Sequence, residues 1–371
     1  TTNIKASATG KNLIPVGLYM RNGSHEPVIE FNGNETTIAA ASTAGNAIGV
    51  FVQQDDLTDD PNPVSGILGL KSTATTITAV GSKAIGIWTT GDNTVNVAGD
   101  LTVTVAGDNH ALWFGSEEEA RSESSGLDEV FRSTLNSWSR EQIGNTTFRV
   151  LEGASATLNG RVHFDKSAAI LLGGDMTVNG KFTLLGTIDG VEGADSKTVL
   201  GNLTLTQGGT IGAATGAGSL DLTANLAKLA VSSDLTTQNA TINADEFTLE
   251  NGTLNNLSGA EINGTKATLG NGAKLVNNGG FHYDTIVLGA GSSYLEEADE
   301  FVDANGSLGI DLASDEGTLE FAGGKLGAIG AESKALTQIR FVDETESQSS
   351  NSTPSLVRFS SNSSYALDNV T

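Results

Sequence analysis

A short phrase returns along the first third of this chain, and it limits the fold more than any other feature. A glycine, an aliphatic residue and then a bulky, mostly aromatic one occur as Gly17-Leu18-Tyr19, Gly49-Val50-Phe51, Gly66-Ile67-Leu68 and Gly86-Ile87-Trp88. A fifth copy, Ala111-Leu112-Trp113, has alanine in place of glycine. The intervals of 32, 17, 20 and 25 residues are those of one supersecondary unit, not of a domain. Imperfect recurrence on that scale marks a stacked array whose units bury their apolar faces against one another.

The rest of the composition agrees with extended structure. The 371 residues include 46 glycines and only 5 prolines, with Asn, Thr, Ser and Ala abundant, so strands and turns are expected to dominate. Cysteine is absent, which removes disulfides, thiol nucleophiles and cysteine-based zinc sites. The formal charge of −24 disfavours nucleic acid, heparin-like polymers and anionic membrane as partners. No apolar run is long enough to span a bilayer as a helix. No charged-then-apolar leader opens the chain at Thr1, so an exported protein would be in its processed form.

Period-2 apolar runs such as Val28–Phe31, Thr75–Thr78, Thr94–Val97 and Leu101–Val105 read as strands. An acidic loop at 53–63 leaves the array. Residues 115–147 change period: Leu127, Val130, Phe131, Leu135 and Trp138 form one apolar helical stripe. Ser125 with Asp128 and then Gly144 supply its start and stop. An amphipathic helix over 126–143 is therefore expected, inserted between two strands. From 148 the strand rhythm resumes. Thr248-Leu249-Glu250-Asn251-Gly252, Thr268-Leu269-Gly270-Asn271-Gly272 and Val287-Leu288-Gly289-Ala290-Gly291 follow at 20 and 19 residues, the length of one solenoid turn. The expected fold is all-β, a single domain over 1–371 with the helical insertion.

The segment Thr75–Trp113, with Ala84-Ile85-Gly86-Ile87-Trp88 and Val97-Ala98-Gly99-Asp100-Leu101-Thr102-Val103, resembles passenger domains of bacterial autotransporters of the pertactin and diffuse-adherence adhesin type. Val178-Asn179-Gly180-Lys181-Phe182-Thr183-Leu184 extends the likeness. The resemblance implies a right-handed parallel β-helix displayed at the cell surface or secreted across the outer membrane of a Gram-negative bacterium. It also implies adhesion or self-association, with a surface protein, a glycan or another copy as partner. Two departures stand beside it: no translocator barrel closes the sequence, and the Gly-Asp-Ser-Gly signature of the protease branch is missing.

Side chains alternate along a strand, so with Ile85 and Ile87 inward, Gly86 and Trp88 point outward. Tyr19, Phe51, Trp88 and Trp113 then form an aromatic ladder on the outer wall. Such a ladder is either a contact face for sugars or protein, or the seat of the 126–143 helix, the better-supported alternative; an inverted facing would make the rings core. The carboxylates Asp55, Asp56, Asp59 and Asp60 lack a calcium-loop pattern and read as a solvated loop, as does the cluster Glu296, Glu297, Asp299, Glu300 and Asp303. His25, His110, His163 and His282 lack metal spacing or triad neighbours. About a dozen Asn-x-Ser/Thr triplets follow from composition, and glycosylation stays open. No cofactor, metal or catalytic residue is expected. The function expected is non-catalytic attachment, with a polysaccharide-degrading lyase or hydrolase and a purely structural stalk as alternatives.

Overall fold

Residues rich in Thr, Val and Ile, alternating with polar ones, can bury one face of an extended strand, and glycine-containing turns let the chain bend between such strands. The computed structural model is built almost wholly of these pieces. It describes residues 1–11, 13–22, 26–54, 65–115, 145–213, 222–289 and 292–296, with backbone strands at 309–312, 318–321, 325–326, 338–341 and 356–357. The described residues are all-β, in large and mostly parallel sheets, with no helix. The helix expected over 126–143 falls on residues outside those described. Two compact units divide the chain, Thr1–Thr204 and Leu205–Thr371.

In the first unit each circuit of the chain adds one strand to each of three parallel ladders. The first ladder runs Thr2–Ala8, Glu35–Ser42, Ala74–Val80, Asp100–Val105, Ser155–Asn159 and Asp175–Val178. The second runs Val16–Asn22, Ala47–Gln54, Ala84–Thr89, His110–Phe114, Arg161–Phe164 and Phe182–Leu184. The third runs Val28–Phe31, Ile67–Leu70, Thr94–Val97, Thr147–Val150, Ala169–Leu172 and Thr187–Asp189. Ile38, Ile77, Val103, Leu158 and Val178 stack in register on one side of the first ladder, each at 0% exposure. The opposite side carries a column of threonines, Thr37, Thr76, Thr102, Thr157 and Thr177, none of them buried.

The glycine phrase belongs to the second ladder, and its geometry differs from simple alternation. A Cβ on Gly17, Gly49 or Gly86 would meet Ile38, Ile77 or Val103 of the first ladder, together with the carbonyl of Gly49, Gly86 or Ala111 in the next circuit. These glycines therefore face inward. Trp113 stacks on His163, while Phe114 lies against Phe148 and Phe164 in the interior. Alternation from Phe114 makes Leu112 inward and Trp113 outward. Ile85 clusters with Phe51, Trp88 and Trp113. The four positions thus run out, in, in, out. Ile87 and Trp88 face as the sequence implies, whereas Ile85 is outward and Gly86 inward. The reason is a kink: no ladder pairing forms at Gly49 or Gly86, and the register slips by one between His110 and Leu112. Gly66-Ile67-Leu68 is no member of this series, because Ile67–Leu70 is a strand of the third ladder with Leu68 in the interior.

In the second unit the 20- and 19-residue repeats fall one rung apart. Leu249, Leu269 and Leu288 are register partners along Ala240–Leu249, Glu261–Leu269 and Gly280–Leu288. A shorter ladder stacks Leu235, Leu254, Leu275 and Tyr294, each at 0% exposure. Beside them runs a buried polar row. Thr237 Oγ1 donates to Asn256 Oδ1 at 2.6 Å, and Asn256 Nδ2 donates to Asn277 Oδ1 at 2.7 Å and to the Gly280 carbonyl at 2.8 Å. Stacking identical amides lets each satisfy the next, which a lone buried amide could not do. The buried Tyr283 hydroxyl donates to the Ala244 carbonyl at 3.1 Å, and desolvation pushes its pKa up.

The kink makes a prediction. Gly86→Val drives two branches into Val103 and the Ala111 carbonyl, and overpacking of this kind costs about 1–3 kcal/mol or more. Thermal or urea melting monitored by circular dichroism should show a clear loss of stability. Gly33→Ala, whose Cβ meets nothing within 4 Å, should melt within experimental error of the parent or slightly above it.

Candidate functional site

Among the described residues, side-chain chemistry concentrates in the outward column of the second ladder. Register places Tyr19, Phe51, Trp88, Trp113, His163 and Thr183 on successive rungs. Parallel in-register pairing sets rungs about 4.8 Å apart, which suits stacked rings. Tyr19 stacks on Phe51 with centroids 5.4 Å apart, and Phe51 sits 4.8 Å from Trp88. Trp113 and His163 stack at 4.3 Å, while His110 meets the edge of Trp113 at 4.6 Å. The Tyr19 hydroxyl donates to Gln53 Oε1 at 2.6 Å.

The structure places all four aromatic residues named from the sequence in one column of the second ladder. Exposure divides them. Tyr19 is 43% exposed, whereas Phe51, Trp88 and Trp113 are 3%, 2% and 1% exposed. Ile48 and Ile85 join the buried cluster, with the partly buried Ile14 and Val16 packed against it. Strand Ala84–Thr89 is consequently buried along its whole length on both faces. Only Tyr19 offers solvent much of a ring; the inner three rungs act as a second apolar layer outside the wall. Ring pairs in such stacks contribute about 0.5–1.5 kcal/mol each beyond area burial.

His163 is the member sequence reasoning missed. Its signal was its place between Val162 and Phe164, both 0–1% exposed, in a strand of strict alternation. His110 was passed over for a different reason: its role depends on Trp113, three residues on, and on the bulge between them. Burial, reinforced by the electrostatic influence of Arg161, His163 and Lys83, lowers the His110 pKa to about 3. The Trp113 indole Nε1 is buried without a hydrogen-bond partner. Burying it that way costs energy, so Trp113 is held by ring packing and not by a hydrogen bond of its indole.

The remaining sequence candidates form no further cluster among the described residues. The acidic loop residues Asp55, Asp56, Asp59 and Asp60 lie outside the described residues, as do His25, Glu297, Asp299, Glu300 and Asp303. His282 pairs with Glu261 at 2.9 Å on the surface of the second unit. Among the described residues no three His, Cys, Asp or Glu side chains group as metal ligands would, and no helix is long and apolar enough to cross a membrane. No protein-family model, curated protein or solved structure matches the chain.

Two measurements check this account of the ring column. Between pH 6.5 and about 3 the unfolded chain binds a proton at His110 that the folded chain refuses, so this residue makes stability fall as pH drops through that window. His110→Gln should therefore show a shallower loss of melting temperature from pH 7 to pH 4 than the parent. In a Trp138→Phe background, the fluorescence of Trp88 and Trp113 should resist acrylamide; strong quenching would show the inner rungs to be open.

Proposed function

We propose that this chain is the β-helical passenger of a bacterial surface protein, right-handed in its winding, and that it attaches to other surfaces or to itself without catalysis. The observation that carries the reading is the one-circuit register of the three ladders in the first unit. Such a scaffold holds its outward columns at a fixed period, as the threonines from Thr37 to Thr177 illustrate. Repeated polar groups at constant spacing suit many weak contacts made together, and avidity then replaces a single strong site. The pertactin-like phrasing of the sequence supports a place at the cell surface or in the secreted fraction of a Gram-negative bacterium. Partners of this reading are a surface protein, a glycan or a second copy.

Tyr19 is the rung of the aromatic column that supports a contact role, since it is the one with an exposed ring. Phe51, Trp88 and Trp113 support attachment indirectly, by stiffening the wall behind it.

Beads coated with the purified chain should adhere to bacterial or host cells, or to one another, more than beads coated with an unrelated acidic protein. Parallel incubation with polysaccharides, followed by size analysis, should leave the polymers intact. Polymer shortening would replace this reading with a β-helical lyase or hydrolase, and inert beads would leave a structural stalk.

A further inference from the structure

We infer that two copies of this chain pair side by side through oppositely charged edges of the first unit, an inference that rests on the self-association branch of the proposed function. The turns leading from the first ladder into the second form one edge of that unit. They carry Lys11, Lys83, Arg161 and Lys181. Arg161 and Lys181 stand in adjacent circuits, the Val162 amide donating to the Lys181 carbonyl, while Lys83 lies two circuits before Arg161 and Lys11 two before Lys83. Their mutual proximity is felt at His110, whose pKa is depressed in part by Arg161 and Lys83. The one carboxylate on this edge is Asp108, highly exposed and 3.8 Å from Arg161. Lys11, Lys83 and Lys181 have no ion-pair partner among the described residues.

The turns leading from the third ladder back into the first have the opposite character. Glu35, Asp100, Glu152 and Asp175 lie there, all exposed. Asp100 accepts a hydrogen bond from Ser155 Oγ and Asp175 one from Asn202 Nδ2, both at 2.8 Å, and neither meets a cation. Lys71 at this edge is already held by Glu30 at 2.5 Å, which lowers the Glu30 pKa. Lys197 sits on the small hairpin that also bears Glu192 and Asp195. A chain of net charge −24 thus gathers unpaired cations on one edge and unpaired carboxylates on another.

The partner that such a pair of edges fits is a second copy. Its acidic edge meets the basic edge of the first, both sets lying at multiples of one rung spacing of about 4.8 Å. Net repulsion between two acidic chains is screened beyond about 8 Å at physiological salt, so the local edges decide. Exposed ion pairs are individually weak. The pairing is therefore faint between free molecules and strong between surfaces that carry many copies. One basic and one acidic edge per copy also allows a row of copies, because the contact is heterologous.

The test uses the full chain on beads. Wild-type beads should cluster at low salt and disperse at about 0.5 M salt, where screening is tight. Beads carrying K11E/K83E/R161E/K181E should not cluster, nor should beads carrying E35K/D100K/E152K/D175K, with folding of both verified by circular dichroism. Mixing the two variants should restore clustering at low salt, because the intact acidic edge of the first meets the intact basic edge of the second; wild type with each variant is a further arm. The basic-edge variant still offers its acidic edge to the wild type's basic edge, and the acidic-edge variant offers its basic edge to the wild type's acidic edge. Both should therefore co-cluster with wild type at low salt. Clustering that survives either reversal in homotypic beads overturns the edge assignment while leaving self-association standing. Wild-type beads that never cluster overturn lateral pairing and leave attachment to other surfaces standing. Capture of a labelled carboxylated polysaccharide by wild type, lost in the basic-edge variant and without clustering, assigns the basic edge to an anionic glycan and also overturns pairing.

Discussion

Backbone hydrogen bonding between successive circuits is the constraint on which everything else in the first unit depends. Parallel strands pair in register only if each circuit returns its chain to the same place one rung higher. Once that holds, side chains at equivalent positions must stack, and each column takes on a single character. Ile38, Ile77 and Val103 can be interior only because they are partners. Where the second ladder comes nearest to the first, no side chain fits, and Gly17, Gly49 and Gly86 occupy that point in successive circuits. Glycine here is a consequence of close approach, not of a turn.

The sequence made strands, their approximate length and the stacking period legible, because alternation and the 20-residue recurrence are local signals. It also disclosed the aromatic column, since four of its rungs share a phrase. It misled at Gly66-Ile67-Leu68, where the same three residue types serve another ladder. It misled again at Ile85, whose facing depends on a kink imposed by the next circuit rather than by its own neighbours. The burial of Phe51, Trp88 and Trp113 was foreshadowed only as one of several alternatives, because closing an outward face depends on contacts far away in the chain. His163 joins Trp113 from 50 residues downstream, a distance over which pattern reading has no grip.

The outward faces of the described residues differ in character. Uncharged threonine fills the middle of the first ladder's outer side, and amide rows mark the second unit. In the second unit Asn243 donates to Asn225 Oδ1 at 2.9 Å and Asn263 to Asn243 Oδ1 at 3.1 Å. Such self-satisfied rows need no partner to be stable.

The threonine column has a consequence of another kind. Thr37, Thr76, Thr102, Thr157 and Thr177 are a molecular ruler, with graduations about 4.8 Å apart fixed by the backbone. Their side chains leave the interior untouched, so replacing any of them changes what is displayed without changing where it stands. Two reporters placed on chosen threonines would be held at known multiples of one interval. The wall would then serve as a calibration standard for distance measurements in solution.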